Sequence, residues 1–267
     1  MTRYDVNLRY GVDNSFSLEG KVMAVTGGLG GIAMATNRIY LEKGAKVAVI
    51  YPPFERDRVS EVSEELNAIA ADSVSFHCCD ITQSDQVDET FEQILEVHGK
   101  LDGLVNCAGY VMLQPALEVT INEWQKQIDV NLTGSFLCAK AAANIFIHNE
   151  SGGKIINIAS QAATIAIESH VAYTSAKAGL IGMTKVLALE WAKHNINVNT
   201  ISPTVVLTPM GEKAWQGEKG ELMKQKIPMG RFAYTDEIAA AILFFSSNGS
   251  DMITGEDLMI DGGFTIY

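Results

Sequence analysis

The sequence contains 267 residues, of which 47% are apolar and only 6 are proline, and its formal net charge is −12. This composition excludes a disordered tail, a collagen-like repeat and a disulfide-rich miniprotein. The 20 basic residues are scattered along an acidic chain, so no surface for nucleic acid or an anionic membrane is expected.

Features of the chain as a whole predict a soluble, cytoplasmic protein. Residues 1–17 carry charged side chains and no apolar core of a signal peptide, and no uninterrupted apolar run reaches about 18 residues. The four cysteines show neither C-x-x-C spacing nor a histidine pair at zinc-finger distance, so no metal site is predicted. We expect an N-terminal extension over residues 1–17 and one domain over residues 18–267.

Short apolar segments rich in β-branched residues alternate with longer segments of helical periodicity. Because these apolar segments are continuous, each predicts a strand that is buried on both faces of a sheet. Seven such strands predict an α/β fold, a doubly wound parallel sheet of the Rossmann type with helices on both faces. A (β/α)8 barrel alternates in the same way, but the glycine turn described next favours the open sheet. The predicted strands are Val22–Thr26, Lys46–Ile50, Val74–Cys78, Leu101–Asn106, Lys154–Ala159, Asn197–Ile201 and Asp257–Ile260.

A glycine-rich turn connects the first predicted strand to the first helix. Gly27, Gly28, Gly30 and Gly31 surround Leu29 there. Glycines allow a sharp turn and a close approach of the backbone to a pyrophosphate, whose charge is bound by the free N–H groups of the helix N-terminus. Any tight turn also uses glycine, but the position between a strand and a helix favours a dinucleotide site.

Tyr173 and Lys177 lie at the start of a helix that is predicted to reach about Lys193. Their spacing of four places both on one helix face, where the ammonium can stabilise a phenolate. Such a pair alone is more often found on a solvated helix surface. Ser160, however, directly follows the strand Lys154–Ala159, at the sheet end where ligands bind in open parallel sheets. The combination of these motifs is far more specific than any one of them.

On these motifs the sequence resembles the short-chain dehydrogenase/reductase family over residues 18–267. The resemblance implies a catalytic tetrad of Asn131, Ser160, Tyr173 and Lys177, and hydride transfer between a nicotinamide and a substrate carbon without a metal. Tyr173 would exchange a proton with the substrate oxygen, Ser160 would hydrogen-bond that oxygen, and Lys177 would lower the tyrosine pKa and hold the nicotinamide ribose. Asn131 would position a water between Lys177 and solvent, or it would only cap or bend its helix.

The resemblance also implies cofactor-binding positions in the glycine turn and after several strands. Asp80 would hydrogen-bond the adenine, and Val206 and Thr208 belong to the segment that holds the nicotinamide carboxamide. The chain departs from the family pattern at Ala33, in place of the last turn glycine, and at Cys107, in place of the second asparagine of an Asn-Asn-Ala-Gly motif. The full set is Gly27, Leu29, Gly31, Ile32, Tyr51, Asp80, Ile81, Asn106, Ala108, Tyr173, Lys177, Val206 and Thr208.

The choice between NAD and NADP stays open from the sequence. NAD-dependent relatives place an acid at the end of the second strand, and NADP-dependent ones place a base beside it or within the glycine turn. Here Ile50 is followed by Tyr51, so neither rule is met. Arg56 and Arg58 are candidates for a 2′-phosphate, although solvation of the next helix is the commoner role for such residues.

The segment Pro203–Thr208 resembles a subgroup of the family that acts on polyols and ketoses, because Thr204 replaces the usual glycine. Residues 228–231 and 261–267 are similar to that subgroup too. Residues 207–228, with several glycines and polar residues, are predicted to form a mobile lid over the substrate. His170 is either a pocket residue or a plain loop residue. The expected substrate-binding residues are Gln114, Ser160, Gln161, His170, Tyr173 and Thr204.

Two other functions compete with a polyol/ketose oxidoreductase. A 3-oxoacyl thioester reductase of the same family would need a basic patch for its carrier, which the net charge of −12 does not favour. A non-catalytic, dinucleotide-binding regulatory protein could share the fold, but the intact tetrad argues against it. The resemblance further implies a homo-oligomer, usually a tetramer, with the C-terminal strand and the helices around residues 122–148 and 172–193 at its interfaces.

Overall fold

A seven-stranded, fully parallel sheet forms the centre of the molecule. The computed structural model describes residues 15–266, the side chain of Met210 excepted. The strands are β1 Val22–Thr26, β2 Lys46–Tyr51, β3 Val74–Cys78, β4 Gly103–Asn106, β5 Gly153–Ile158, β6 Ile196–Pro203 and β7 Asp257–Ile260. Their order is β3-β2-β1-β4-β5-β6-β7, and each neighbouring pair is parallel. The winding direction therefore reverses between β1 and β4, where open α/β sheets form their ligand crevice.

Nine α-helices lie within the described residues, and most of them cover the two faces of the sheet. They are α1 Gly31–Glu42, α2 Val59–Asn67, α3 Ser84–His98, α4 Ile121–Ile128, α5 Gly134–His148, α6 Val171–Trp191, α7 Pro209–Ala214, α8 Glu218–Gln225 and α9 Thr235–Ser246. Strand side chains alternate between the faces. In β1, Met23 and Val25 belong to the core with α1, α2 and α9, whereas Val22 and Ala24 belong to the core with α3, α5 and α6. The predicted doubly wound fold is confirmed.

The edges of the sheet differ from the expectation that every strand is buried on both faces. The residues of β1 and β4 are all buried, but β7 is half-buried along its whole length and β3 along most of it. An edge strand has a neighbour on only one side, so its flanking side chains are covered less. The expectation was therefore wrong for β3 and β7.

Residues 207–228 contain the two short helices α7 and α8. The Thr208 hydroxyl caps α7 by accepting a hydrogen bond from a backbone N–H three residues later, at 3.0 Å. Met223 and Ile227 pack on Phe232 in a small apolar cluster separate from the two main cores. This cluster anchors the segment to the domain, and a lid movement stays a prediction.

The described part of the predicted N-terminal extension, residues 15–17, contacts the domain, while residues 1–14 and Tyr267 lie outside the description. The Ser15 carbonyl accepts a hydrogen bond from the Gly249 N–H at 3.0 Å. The Phe16 ring lies 6.2 Å from the Phe244 ring on α9, centre to centre. Residues 15–17 thus pack against the end of α9.

The helical stretch Ile121–His148, which includes α4 and α5, is long and apolar enough to cross a membrane by length and composition alone. Of its 18-residue window, 56% is buried inside the protein. α5 supplies many side chains to the core on one face of the sheet. The core helix of a folded domain passes the same length and composition test, so this stretch is weak evidence for a membrane span.

Candidate active site

The loops after β1 and β4 are joined at the point where the sheet reverses its winding. The Thr26 hydroxyl at the end of β1 accepts hydrogen bonds from the N–H groups of Cys107 and Ala108, each at 3.1 Å. Thr26 is fully buried. The side chain therefore holds the glycine turn and the loop after β4 against each other, with the crevice at the carboxyl ends of the strands.

The glycine turn leaves no room for a side chain at Gly27 or Gly31. Gly27 has φ +60°, and a Cβ on it would lie 2.8 Å from the Ala108 Cα. A Cβ on Gly31 would lie 2.7 Å from the Thr208 Cγ2, so the turn also packs against the segment after β6. These contacts show why glycine is needed at both positions.

The start of α1 suits a bound diphosphate. Gly30 is the N-cap and supplies no side-chain hydrogen bond to the first turn, and this turn contains no acidic residue. The N-terminal N–H groups of a helix without a side-chain cap can bind an anion, and the helix dipole favours negative charge there. Together with the glycine contacts, this arrangement fits the pyrophosphate of a nicotinamide dinucleotide, with the predicted Leu29 and Ile32 on either side of Gly31.

Two arginines flank the end of β2, where the adenosine end of such a cofactor would bind. Tyr51 is buried as the last residue of β2. Arg56 donates a hydrogen bond to the Cys78 Sγ at 3.6 Å. Arg58 donates a hydrogen bond to the Leu29 carbonyl in the glycine turn at 2.8 Å. The two arginines therefore do more than keep the next helix solvated, because each side chain contacts a residue at the edge of the predicted cofactor site.

The residues after β3 are ordered by local hydrogen bonds. The Asp80 carboxylate accepts bonds from the Thr82 N–H at 3.1 Å and from the Thr82 hydroxyl at 2.8 Å. Ile81 is buried beneath α5, and a Cβ on Gly134 would lie 2.8 Å from its side chain. The predicted adenine contact of Asp80 is thus placed at the same sheet edge as Tyr51.

Asn106, another predicted cofactor residue, is fully buried and connects β4 to its neighbours by hydrogen bonds. Its Nδ2 donates hydrogen bonds to the Ser135 carbonyl at 3.0 Å and to Asn157 Oδ1 at 2.9 Å. Asn157 in turn bonds the Thr184 hydroxyl on α6 at 2.8 Å. This chain links β4, β5, α5 and α6, so we expect Asn106 to support the cofactor site indirectly.

Ser160 and Tyr173 meet at the carboxyl end of β5. The Ser160 Oγ accepts a hydrogen bond from the Ala162 N–H at 3.1 Å, which orients the side chain. Burial raises the pKa of the Tyr173 phenol above its ordinary value, and the neighbouring Ser160 hydroxyl offsets part of this rise. The net direction is opposite to the lowering expected from Lys177, because desolvation outweighs the favourable contacts.

Lys177 is 4% exposed and lies one helical turn beyond Tyr173. Its Nζ donates a hydrogen bond to the Ile158 carbonyl at 2.7 Å and lies 5.6 Å from the centre of the Tyr173 ring. Burial disfavours the charged ammonium and lowers the pKa of Lys177 to about 8. The predicted pair therefore lies on one helix face, next to Ser160.

Asn131 lies in a π-helical turn, Asp129–Thr133, between α4 and α5. Its Nδ2 donates to the Tyr110 carbonyl at 2.6 Å and to the Gln127 carbonyl at 2.9 Å, and its Oδ1 accepts from the Tyr110 N–H at 3.2 Å. Widened turns of this kind often occur at functional sites. The side chain thus fixes the loop after β4 to the helix, which agrees with its interpretation as a residue that bends the helix.

Three of the predicted substrate residues share an unusual feature. Each of Gln114, Gln161 and Thr204 has a buried side-chain oxygen without a hydrogen-bond partner among the described residues. Buried polar atoms are rarely unpaired in folded proteins. The His170 ring lies 6.2 Å from the Tyr173 ring, edge to face, and the Gln114 N–H bonds the Ser169 carbonyl at 3.1 Å. The structure therefore brings Gln114 and His170 to the Tyr173 side of the crevice.

The segment after β6 supplies the remaining predicted residues. The Thr204 N–H donates to the Ile260 carbonyl at 3.0 Å, which ties the segment to β7. Val206 is buried and pairs with Ala233 through an isolated β-bridge. Thr208 follows and packs against Gly31, so this segment borders the crevice beside the glycine turn.

Three residues close to the tetrad were not among the predicted site residues. The Gln127 Oε1 and the Thr174 Oγ1 are buried without a partner among the described residues. A Cβ on Gly109 would point between Asn131 and Lys177. Only Thr174, next to Tyr173, and Gly109, at the end of the Asn-Cys-Ala-Gly segment, had a signal in their sequence neighbourhood.

Known proteins resemble the chain over almost its full length. A family model described as enoyl-(acyl carrier protein) reductase matches residues 27–265. D-threitol dehydrogenase of Mycolicibacterium smegmatis is 44% identical over 258 residues, 96% of each chain. NAD-dependent glycerol dehydrogenase of Listeria innocua is 43% identical over 256 residues, 96% of this chain and 98% of that one. The crystal structure of a short-chain type dehydrogenase/reductase from Mycobacterium marinum has a TM-score of 0.91 at 34% identity and covers 96% of this chain and 100% of its own.

Proposed function

Since the chain belongs to the short-chain dehydrogenase/reductase family, we propose that it transfers a hydride between a nicotinamide cofactor and a sugar alcohol/ketose pair. The observation that carries the substrate class is the group of unpaired buried oxygens on Gln114, Gln161 and Thr204. Each of them can accept a hydrogen bond. A molecule that presents several hydroxyl donors next to its reacting carbon would satisfy them.

The polar residues at the end of β5 and on α6 have separate roles at the substrate oxygen. The bound nicotinamide ring supplies the hydride chemistry. Tyr173 takes up the hydroxyl proton during alcohol oxidation and returns it during ketone reduction. Ser160, which neighbours the Tyr173 hydroxyl, donates to the same substrate oxygen while negative charge develops on it. Lys177 stabilises the phenolate from one helical turn away.

Names of relatives support the same substrate class. The two curated relatives reported above are named for threitol and glycerol, both of which are short polyols. An unpaired oxygen in a pocket favours a substrate with a hydroxyl at that point and rejects an analogue that lacks it, because the buried group then stays unpaired. We therefore infer that Gln114, Gln161 and Thr204 select hydroxylated substrates over plain secondary alcohols.

A panel assay tests this function. Polyols with three to six carbons and matched mono-alcohols would be incubated with NAD or NADP while formation of the reduced cofactor is followed by absorbance. We expect turnover of at least one polyol and little turnover of the mono-alcohols. If 3-oxoacyl thioesters were reduced and no polyol were oxidised, the substrate class would be refuted. If cofactor bound without turnover of any substrate, the regulatory alternative would be supported.

Three further features belong to the same proposal. The cofactor is NAD or NADP, and residues 207–228 close over the substrate as a lid on one domain that begins near residue 18. A cytoplasmic homotetramer is the expected assembly. Exposed apolar side chains on the proposed interface helices, Ile121 of α4 and Val186 and Leu189 of α6, support an association between copies. Light scattering coupled to size-exclusion chromatography measures the number of copies.

A further inference from the structure

We propose that two histidines joined through a serine hydroxyl form an acid-sensitive switch that lowers the affinity of the protein for its dinucleotide cofactor. The residues are Ser75 and His77 on β3 and His98, the last residue of α3, and we call them the histidine bridge. None of them belongs to the predicted catalytic, cofactor-binding or substrate-binding residues. The inference rests on the proposed function, because the property that it regulates is cofactor binding.

The Ser75 hydroxyl lies between the two imidazole rings. Its Oγ is 2.8 Å from His77 Nε2 and 2.7 Å from His98 Nε2, and these two nitrogens are its hydrogen-bond partners among the described residues. A hydroxyl has one hydrogen, so it donates to one ring while the other ring donates to its oxygen. The complete bridge therefore needs at least one ring whose Nε2 carries no proton.

The surroundings of the histidine bridge favour neutral rings. His77 is 5% exposed and His98 is half-buried, and burial lowers the pKa of both. His77 and Lys46 of β2 also disfavour a charge on His98, whereas Gln93 of α3, which donates to the Glu89 carboxylate at 3.3 Å, favours a charge on His77. Neither ring forms an ion pair with a carboxylate of the described residues. Both rings are therefore neutral at pH 7.

Acid removes the acceptor on which the histidine bridge depends. Once both rings are protonated, each Nε2 carries a hydrogen, so the Ser75 hydroxyl has no ring to donate to and two positive charges face one oxygen. The folded protein disfavours these protons relative to the unfolded chain. The stability that the bridge contributes is therefore fully present above pH 6.5, the ordinary pKa of histidine, and is lost as the pH falls below that value. The loss acts between β3 and α3, since each carries one of the two rings.

The first turn of α3 is attached to the cofactor edge of the sheet. The Gln86 Oε1 in that turn accepts a hydrogen bond from the Asp80 N–H at 2.9 Å. Asp80, the predicted adenine contact, follows His77 by three residues. The helix thus holds β3 at one end through the histidine bridge and the loop after β3 at the other end through Gln86. A displacement of α3 by the charged rings would move Asp80, so the cofactor should bind more weakly in acid.

Cofactor affinity at several pH values tests the switch. The Kd would be measured by calorimetry at pH 7.5, 6.5 and 5.5, with whichever of NAD and NADP binds more tightly at pH 7.5. The wild type would be compared with the double variant that carries His77→Gln and His98→Gln, whose amides form hydrogen bonds but take up no proton. We expect the wild-type Kd to rise about tenfold from pH 7.5 to pH 5.5, the ratio that one pKa unit of coupling produces, and the Kd of the double variant to change by less than about twofold. An equal rise in both proteins would overturn the proposal.

His148→Gln is the matched control for the binding measurement. His148 is the last residue of α5, as His98 is of α3, but it is exposed. This variant should keep the wild-type rise in Kd, and loss of the rise in it would overturn the assignment to the histidine bridge. Protonation of the cofactor itself is the same for every variant and cancels in the comparison. Wild-type protein that bound neither cofactor at pH 7.5 would refute the proposed function, whereas the acid sensitivity of the bridge is measured without cofactor.

Titration of the histidine rings by 1H NMR provides that measurement and serves if the double variant folds poorly. The chain has 5 histidines, and the single variants His77→Gln and His98→Gln assign the two signals. Both rings should titrate at a lower pH than His148. In each single variant the remaining ring should titrate about half a pH unit higher, roughly threefold in acidity, because the second charge is absent. Rings that titrate together with His148 in the wild type, or that titrate unchanged in the single variants, would overturn the proposal.

Discussion

Replacement of Lys177 by methionine should stabilise the protein at neutral pH while it abolishes activity. Burial lowers the pKa of Lys177 from 10.5 to about 8. At about 1.36 kcal/mol per pKa unit, this depression corresponds to a cost of roughly 3 kcal/mol for burying the charge. The variant loses the hydrogen bond from Nζ to the Ile158 carbonyl, which offsets about 1–2 kcal/mol of the gain. The expected net effect at pH 7 is a gain of about 1–2 kcal/mol in the free energy of unfolding.

The difference in stability between Lys177→Met and the wild type should depend on pH in a specific way. Below pH 8 the lysine is charged in both folded and unfolded states, so the cost of burial is fully present. Between pH 8 and 10.5 the folded state releases the proton while the unfolded state still holds it, so wild-type stability rises with pH. The advantage of Lys177→Met should therefore shrink by roughly 2–3 kcal/mol between pH 7 and pH 10, and change sign.

Urea unfolding at pH 7, 8, 9 and 10, at one protein concentration, measures this difference. Lys185→Met on the same helix is the control, because Lys185 is exposed and its removal relieves no burial. Other lysines and tyrosines titrate in both proteins and cancel when wild type and variant are compared. A difference that stays constant across the pH range would refute the argument that Lys177 is a costly buried charge.

Three other outcomes follow from individual contacts. Gln161→Ala and His170→Ala should each raise KM for the polyol severalfold with little change in cofactor Kd, and unchanged KM in both would remove them from the pocket. Arg58→Ala should weaken NADP binding more than NAD binding in calorimetry, because the Arg58 guanidinium contacts the glycine turn. Equal losses of affinity for the two cofactors would show that Arg58 only orders the turn. Arg231 lowers the pKa of the Glu237 carboxyl to about 2, so Glu237→Gln should lower Tm at pH 7. The difference in Tm between variant and wild type should disappear as the pH falls from about 4.5 toward 2, where the wild-type carboxyl becomes protonated. A Tm difference that persists at low pH would contradict this.

The central part of the fold was predictable because its sequence pattern carries the information locally. Residues 22–25 are continuously apolar and the β-branched Thr26 follows them, and in the structure all five are buried. The same pattern predicted a fully buried strand at β7, which is only half-buried. Burial of an edge strand depends on what lies beside it and not on its own side chains. Local patterning thus identifies strands but not their place in the sheet order.

The candidate site divides in a similar way. Tyr173 and Lys177 were recognisable because helical spacing places them together, and Ser160 because strand ends define the crevice. The contact of Arg58 with Leu29 was not predictable, since it depends on how a turn between β2 and α2 folds back on the glycine turn. The unpaired oxygens of Gln127 and Thr174 were also hidden, because pairing is a property of the packed molecule.

The most direct test of the proposed oxidoreductase is a comparison of Tyr173→Phe with the wild type, using the best polyol from the panel. The hydroxyl of Tyr173 neighbours Ser160 and is the group assigned to proton transfer, whereas the ring is retained in phenylalanine. We expect kcat to fall by about 10²–10⁴-fold with a cofactor Kd close to that of the wild type. Turnover at the wild-type rate in Tyr173→Phe would contradict the account at its centre.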